Sequence, residues 1–216
     1  MLKPVRWNTF VRDFIVIQIG FALFGLSIAL MIRSHLGTTP WAVLEVALSQ
    51  LTDIRPGRMS IIVGFFVLLG ALVLREKIGW GTLSNILFIG LWEDMFLSYI
   101  PPVDDRLIIQ SAMLFSAILL MGLASAIYIG VEAGAGPRDS LMLATHRTTG
   151  LSIRLGRAII EVIVVAIGWS LGGPLGIGTV IFAVLIGPSV QWGFKLFNVK
   201  PHKTEDTIGT VEAVAD

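Results

Sequence analysis

The sequence predicts an all-α, polytopic transmembrane helical bundle. Three observations predict it: too little charge for a wetted surface, a series of long apolar stretches, and an internal repeat. The 216 residues are 55% hydrophobic and only 14% charged, with a mean hydropathy of +0.83. A water-soluble domain of this length carries about 25% charged residues. The formal net charge of +1, with no basic stripe or recognition motif, points away from nucleic acid. There are no cysteines, so disulfides, thiolate metal sites and cysteine catalysis are excluded. His35, His146 and His202 lie far apart without metal-site spacing and read as polar loop residues. No metal and no cofactor are expected.

A helical span needs about 20 mostly apolar residues, because backbone polar groups must be satisfied inside the hydrocarbon. Six stretches qualify, at about 13–33, 59–75, 81–100, 107–131, 155–172 and 177–197. The first follows Lys3, Arg6 and Arg12 but is too long for a signal peptide, and Arg33-Ser34-His35 is no cleavage site. It reads as a retained span. His35-Leu36-Gly37, Arg55-Pro56-Gly57, Pro101-Pro102 and Gly172-Gly173-Pro174 mark breaks. Trp7, Trp41, Trp80, Trp169 and Trp192 fall near span ends, where amphipathic rings settle, whereas Trp92 does not. The tail from about 200 is polar and reads as disordered.

The repeat has an offset of 97. Gly25 matches Gly122, Gly37 matches Gly134, Pro40 matches Pro137 and Leu44 matches Leu141. After a two-residue length difference, Ile54-Arg55-Pro56-Gly57-Arg58 matches Ile153-Arg154-Leu155-Gly156-Arg157. The 97 offset then returns for Gly79-Trp80-Gly81-Thr82 with Gly176-Ile177-Gly178-Thr179 and for Ile89-Gly90 with Ile186-Gly187. The organisation read from this is a cytoplasmic N-terminus (1–12), repeat 1 (13–100), repeat 2 (101–198) and a polar cytoplasmic tail (199–216).

Each repeat reads as a long span, a Gly-x-x-Pro break, a short segment and two more spans. The short segments, about 41–51 and 138–147, are too short or too polar to cross, and read as re-entrant, interfacial or sheltered. Three spans per repeat is odd, so the copies insert in opposite directions, the inverted architecture of many secondary transporters. With both termini in the cytoplasm, twelve of the 16 Lys and Arg residues lie inside, as the positive-inside rule requires. An eight-span reading satisfies that rule equally, and segment length favours six.

The motifs Leu36-Gly37-Thr38-Thr39-Pro40-Trp41, Gly79-Trp80-Gly81-Thr82-Leu83, Gly134-Ala135-Gly136-Pro137-Arg138-Asp139 and Gly176-Ile177-Gly178-Thr179 resemble the YczE/YyaS/YitT group of bacterial integral membrane proteins, most closely its YczE branch. The resemblance covers about residues 12–197. It implies a multi-pass protein of the cytoplasmic membrane far more than any activity. In that branch an acid is expected after Pro-Trp, and Ala42 stands there.

An ionisable group inside a span costs about 3 kcal/mol on insertion scales, which makes it a functional candidate. Glu161 is the clearest, with Arg157 one turn earlier on the same helix face. It reads either as a coupling carboxylate or as half of a tethering ion pair. Arg138 and Asp139 follow the second Gly-x-x-Pro break. Asp139 caps the short helix, or the free helix N-terminus with Arg138 holds an anion. Glu45 faces a cavity or headgroups. Asn85, Asp94 and Gln191 complete the polar set. Asp94 and Gln191, 97 apart, either share the interface between the copies or are structural: Glu93-Asp94 then reads as a pair near the outer boundary, and interhelical hydrogen bonds account for Asn85 and Gln191. Gly168-Trp169-Ser170-Leu171-Gly172 permits close packing or dimerisation.

There is no phosphate-binding loop, metal cluster or nucleophile elbow, so an enzyme is not expected and this chain alone is no ATP-driven pump. The leading expectation is a small-molecule transporter or exporter of unknown substrate. Its site lies where the two Gly-x-x-Pro breaks face each other. The alternative is a non-transporting scaffold or accessory subunit of a membrane assembly. Expected partners are the lipid bilayer, a small-molecule substrate and, compatibly with either reading, a second copy of the chain.

Overall fold

A computed structural model describes residues 6–74, 78–134 and 136–199. Among these residues lie eight helices: α1 (Phe10–Ser34), α2 (Pro40–Thr52), α3 (Pro56–Val73), α4 (Trp80–Tyr99), α5 (Leu107–Gly130), α6 (Pro137–Thr149), α7 (Ile153–Ser170) and α8 (Ile177–Leu196). The fold is all-α, as expected. Lys3, Arg75, Lys77, Lys200 and Lys203, which entered the charge count, and the tail from 200 lie outside the described residues.

Local chemistry sets the helix starts. Proline opens α2, α3 and α6, where its fixed φ suits the first turn and its missing N–H costs nothing. The Thr39 hydroxyl accepts from the Ala42 N–H at 3.3 Å, and the Ser152 hydroxyl from the Leu155 N–H at 3.3 Å. The starts and ends of α6, α7 and α8 each fall 97 positions after those of α2, α3 and α4. The two-residue length difference in the sequence matching is therefore not seen in the helix boundaries. Ile54–Arg58 straddles the start of α3 at Pro56, whereas its match from Ile153 lies wholly inside α7.

By length and composition α1, α3, α5 and α8 each suffice to cross a bilayer. The other two expected spans, α4 and α7, are 20 and 18 residues long but carry Glu93-Asp94 and Arg154, Arg157 and Glu161. The short helices α2 and α6 have 13 residues each, about 20 Å at helical rise, against a hydrocarbon core of about 30 Å. Both are sheltered: α2 packs on α3 and α7, and α6 on α3 and α7.

α1 and α5 lie side by side at the centre, with α4 against α1 and α8 against α5. Glycine makes both outer contacts possible. A Cβ on Gly25 would sit 2.8 Å from the Glu93 nitrogen, and one on Gly122 2.1 Å from the Ser189 hydroxyl. Ser27 donates to the Ala117 carbonyl at 2.6 Å and Ser189 to that of Ile118 at 2.8 Å. Gly168 presses on the Leu44 backbone of α2, so the Gly168–Gly172 pattern serves packing within the chain. Trp41 is buried and Trp92 donates to Gln18 at 3.1 Å. Trp41 is thus no interfacial residue, while Trp7, Trp169 and Trp192 are exposed.

The quoted motifs meet in two reciprocal contacts. The Leu36 carbonyl accepts from the Gly178 N–H at 2.7 Å, and the Ala133 carbonyl from the Gly81 N–H at 3.1 Å. The second contact is the first with both residues displaced by 97 and the halves exchanged. Each Gly-x-x-Pro break therefore docks on the start of the last helix of the opposite half. Gly37 and Gly134 adopt positive φ, 112° and 141°, to bring the chain that close.

Candidate functional site

Both breaks open onto one cavity of about 170 Å³. Its wall is built from residues that fall 97 apart: Phe24 and Met121, Thr39 and Gly136, Pro40 and Pro137, Trp41 and Arg138, Ser60 and Arg157, Gly64 and Glu161, Asn85 and Phe182, Ile89 and Ile186. The cavity thus sits astride the relation between the halves. It also leans to one side. Ser125, Tyr128, Asp139, Met142 and Val190 line it, but their counterparts Ile28, Met31, Ala42, Glu45 and Glu93 do not, and each of those is at most 1% exposed.

The lean has a visible cause. α3 packs along α4, and among the described residues no comparable packing joins α7 to α8. A Cβ on Gly57 would fall 2.0 Å from the Gly90 carbonyl oxygen, so those two helices touch backbone to backbone. Gly187, the counterpart of Gly90, has nothing within 4 Å of its Cβ position. Arg157 and Glu161 of α7 and Phe182, Ile186 and Val190 of α8 line the cavity on the two sides of this gap.

Five of the eight predicted site residues line the cavity: Asn85, Arg138, Asp139, Arg157 and Glu161. Arg157 Nε donates to Glu161 Oε1 at 2.9 Å, with side chains 50% and 25% exposed. This i, i+4 pair marks the mouth. Arg138 is committed inward: its guanidinium donates to Glu45 and lies 5.0 Å over the Trp41 ring, a cation–π distance. Asp139 accepts from the Tyr128 hydroxyl at 3.4 Å, and no ion pair reaches it among the described residues. Gly136, not Asp139, is the N-cap of α6. Since Glu45 neutralises Arg138, the anion-site reading of this helix start loses its counter-charge.

The other three lie elsewhere. Glu45 is fully buried behind the wall, bound to Arg138. Asp94 caps α3, accepting from the Gly57 and Arg58 N–H groups at 2.8 and 3.2 Å. Gln191 is exposed on α8. The expected common position of Asp94 and Gln191 is not seen, because α3 meets α4 and α7 stays clear of α8. Among the described residues no three His, Asp or Glu side chains are placed to hold a metal ion.

Sequence reasoning missed Glu93. It read Glu93-Asp94 as a boundary pair, but neighbouring helical residues point about 100° apart. Asp94 reaches the α3 start while Glu93 turns into the core, 0% exposed, with neither carboxyl oxygen hydrogen-bonded. The signal was Trp92, whose failure to fit the aromatic belt showed that this turn is internal.

Known proteins agree with the membrane placement. The model of a family of unknown function, DUF6198, matches residues 11–195. A protein of Haemophilus influenzae, "Uncharacterized protein", is 33% identical over 91% of this chain and 89% of its own length. "Uncharacterized membrane protein YczE" of Bacillus subtilis is 30% identical over 85% of this chain and 82% of its own. "Uncharacterized protein YyaS" of the same organism is 26% identical over 78% and 86%. No solved structure matches. A membrane-protein relative and four helices apolar enough to cross together support a membrane location. The chain belongs to the DUF6198 family and is similar to YczE and YyaS.

Proposed function

We propose that the protein is a secondary transporter or exporter of the cytoplasmic membrane, which exposes its central cavity alternately to the two sides. Six helices cross, α2 and α6 are re-entrant, and both termini lie in the cytoplasm. The two halves are inverted copies. The reciprocal contacts of Leu36 with Gly178 and Ala133 with Gly81 support that relation. The observation that carries the reading is the asymmetry of two equivalent helix pairs, α3–α4 shut and α7–α8 parted. An inverted repeat caught with one pair closed and the other open implies a second state with the roles exchanged. Broken helices flanking a midplane cavity are where such folds bind cargo.

The cargo is a small molecule with an apolar body and a cationic end. Phe24, Ile86, Ile89, Phe182 and Ile186 supply the apolar wall. Arg138 and Arg157 are held by Glu45 and Glu161, which leaves Asp139 as the wall carboxylate with no ion pair among the described residues. The test is untargeted mass spectrometry of cells and medium from a strain lacking the protein and one overproducing it. A cationic compound whose inside-to-outside ratio moves oppositely in the two strains identifies the cargo. No reproducible difference, with the protein present in the membrane, rejects the reading.

A further inference from the structure

We propose that the Glu93 carboxyl is a proton-binding site that couples this transport, with Arg138 exchanging between Glu45 and Glu93 as the proton comes and goes. The proposal rests on the transport reading and adds the coupling ion to it.

Two carboxyls and one guanidinium share the sealed side of the cavity. Glu93 lies within electrostatic reach of Glu45, Asp94 and Arg138. Arg138 is bound to Glu45 Oε1, which leaves Glu45 Oε2 and both oxygens of the fully buried Glu93 without a partner. Asp94 is already satisfied by the α3 N-terminus. One cation therefore serves one of two carboxyls. A buried carboxyl without partners needs a proton or a cation. Sodium asks for several converging oxygens, and among the described residues no three acidic or histidine side chains are grouped to supply them. A proton asks for one.

Position in the repeat gives the site a route to water. Glu45 and Glu93 are the counterparts of Met142 and Val190, which line the open side. When α3 parts from α4 as α7 has parted from α8, Glu45 and Glu93 come to line the opposite vestibule. There a solvent proton binds a Glu93 oxygen, no other covalent bond changes, and Arg138 settles on Glu45. On release it returns to water, and the Glu93 carboxylate competes with Glu45 for Arg138. Loss of the proton thereby loosens the contact that fixes α6 to α2.

The experiment is infrared difference spectroscopy on the purified, full-length chain in lipid, taken between acid and alkaline buffer. The wild type should show a protonated-carboxyl C=O band that disappears on alkalinisation. Glu93→Gln should lack that band, and the exposed Asp104→Asn should keep it. Glu93→Asp, which retains the acid, should shift the band and serves if Glu93→Gln does not fold. A band unchanged in Glu93→Gln or Glu93→Asp overturns the proposal. So does a thermal midpoint raised by sodium chloride over choline chloride in the wild type but not in Glu93→Gln, which would assign the site to sodium. The measurement needs no cargo. A Glu93 band in a protein whose α7–α8 spacing never changes would keep the proton site and reject the transport reading.

Discussion

Gly57 and Gly90 stand in backbone contact: a Cβ on Gly57 would fall 2.0 Å from the Gly90 carbonyl oxygen, and one on Gly90 2.2 Å from that of Gly57. This contact closes α3 on α4, and its absence at Gly187 leaves α7 apart from α8. A methyl group at Gly90 forces the helices apart. Gly90→Ala should therefore lose about 1–3 kcal/mol, the usual cost of overpacking, read as a lower thermal unfolding midpoint in detergent. Gly187→Ala, facing open space, should leave that midpoint unchanged. On the transport reading it should still slow transport, because the α7–α8 contact it obstructs belongs to the other state.

The Arg138–Glu45 pair predicts a strong asymmetry between single and double substitutions. Glu45 is fully buried and Arg138 largely so, and breaking a buried pair strands a charge at a cost of about 3–5 kcal/mol. Glu45→Gln and Arg138→Met should each lower yield and thermal midpoint sharply. The double variant should recover most of the loss. Equal and additive losses would show that the pair is not formed.

Glu161 should behave in the opposite way. Its partner Arg157 is half exposed, and an i, i+4 pair of that kind contributes about 0.3–0.5 kcal/mol. Glu161→Gln should unfold within a degree or two of the wild type. Its place at the cavity mouth predicts that transport nonetheless falls several-fold once the cargo is known. Stability and activity falling together would reduce Glu161 to a tether.

Asp139→Asn should remove recognition of a cationic cargo while leaving the fold intact, because among the described residues the carboxylate caps no helix and accepts only from Tyr128, at a long 3.4 Å. Binding of the cargo, followed by quenching of the intrinsic tryptophan fluorescence, should weaken at least tenfold. Tyr128→Phe should weaken it less. Unchanged binding in Asp139→Asn would place the cationic end elsewhere.

The architecture was legible because it rests on local signals. Apolar length, proline at three helix starts and the 97 offset need no knowledge of packing, and they place all eight helices within a few residues. That both Gly-x-x-Pro breaks line one cavity accords with the repeat, which states which residues are equivalent. Equivalence does not say which contact is made. Asp94 and Gln191 occupy matching positions, yet one caps α3 and the other is exposed, since only one of the two helix pairs is closed. Glu93 was hidden by its neighbour, and its rotation into the core depends on how α4 packs against α1 at Gly25. Arg138 was read as a free charge because its partner, Glu45, lies 93 positions away.

The central claim is that α3–α4 and α7–α8 open in turn. The chain has no native cysteine, so spin labels can be placed in pairs, at the exposed Val162 and Val184 on α7 and α8 and at Phe66 and Leu87 on α3 and α4. Pulsed electron resonance in lipid then reads both separations. The account predicts two populations for each pair, shifting in opposite directions when pH or cargo is changed. A single unshifted separation for both pairs would contradict it.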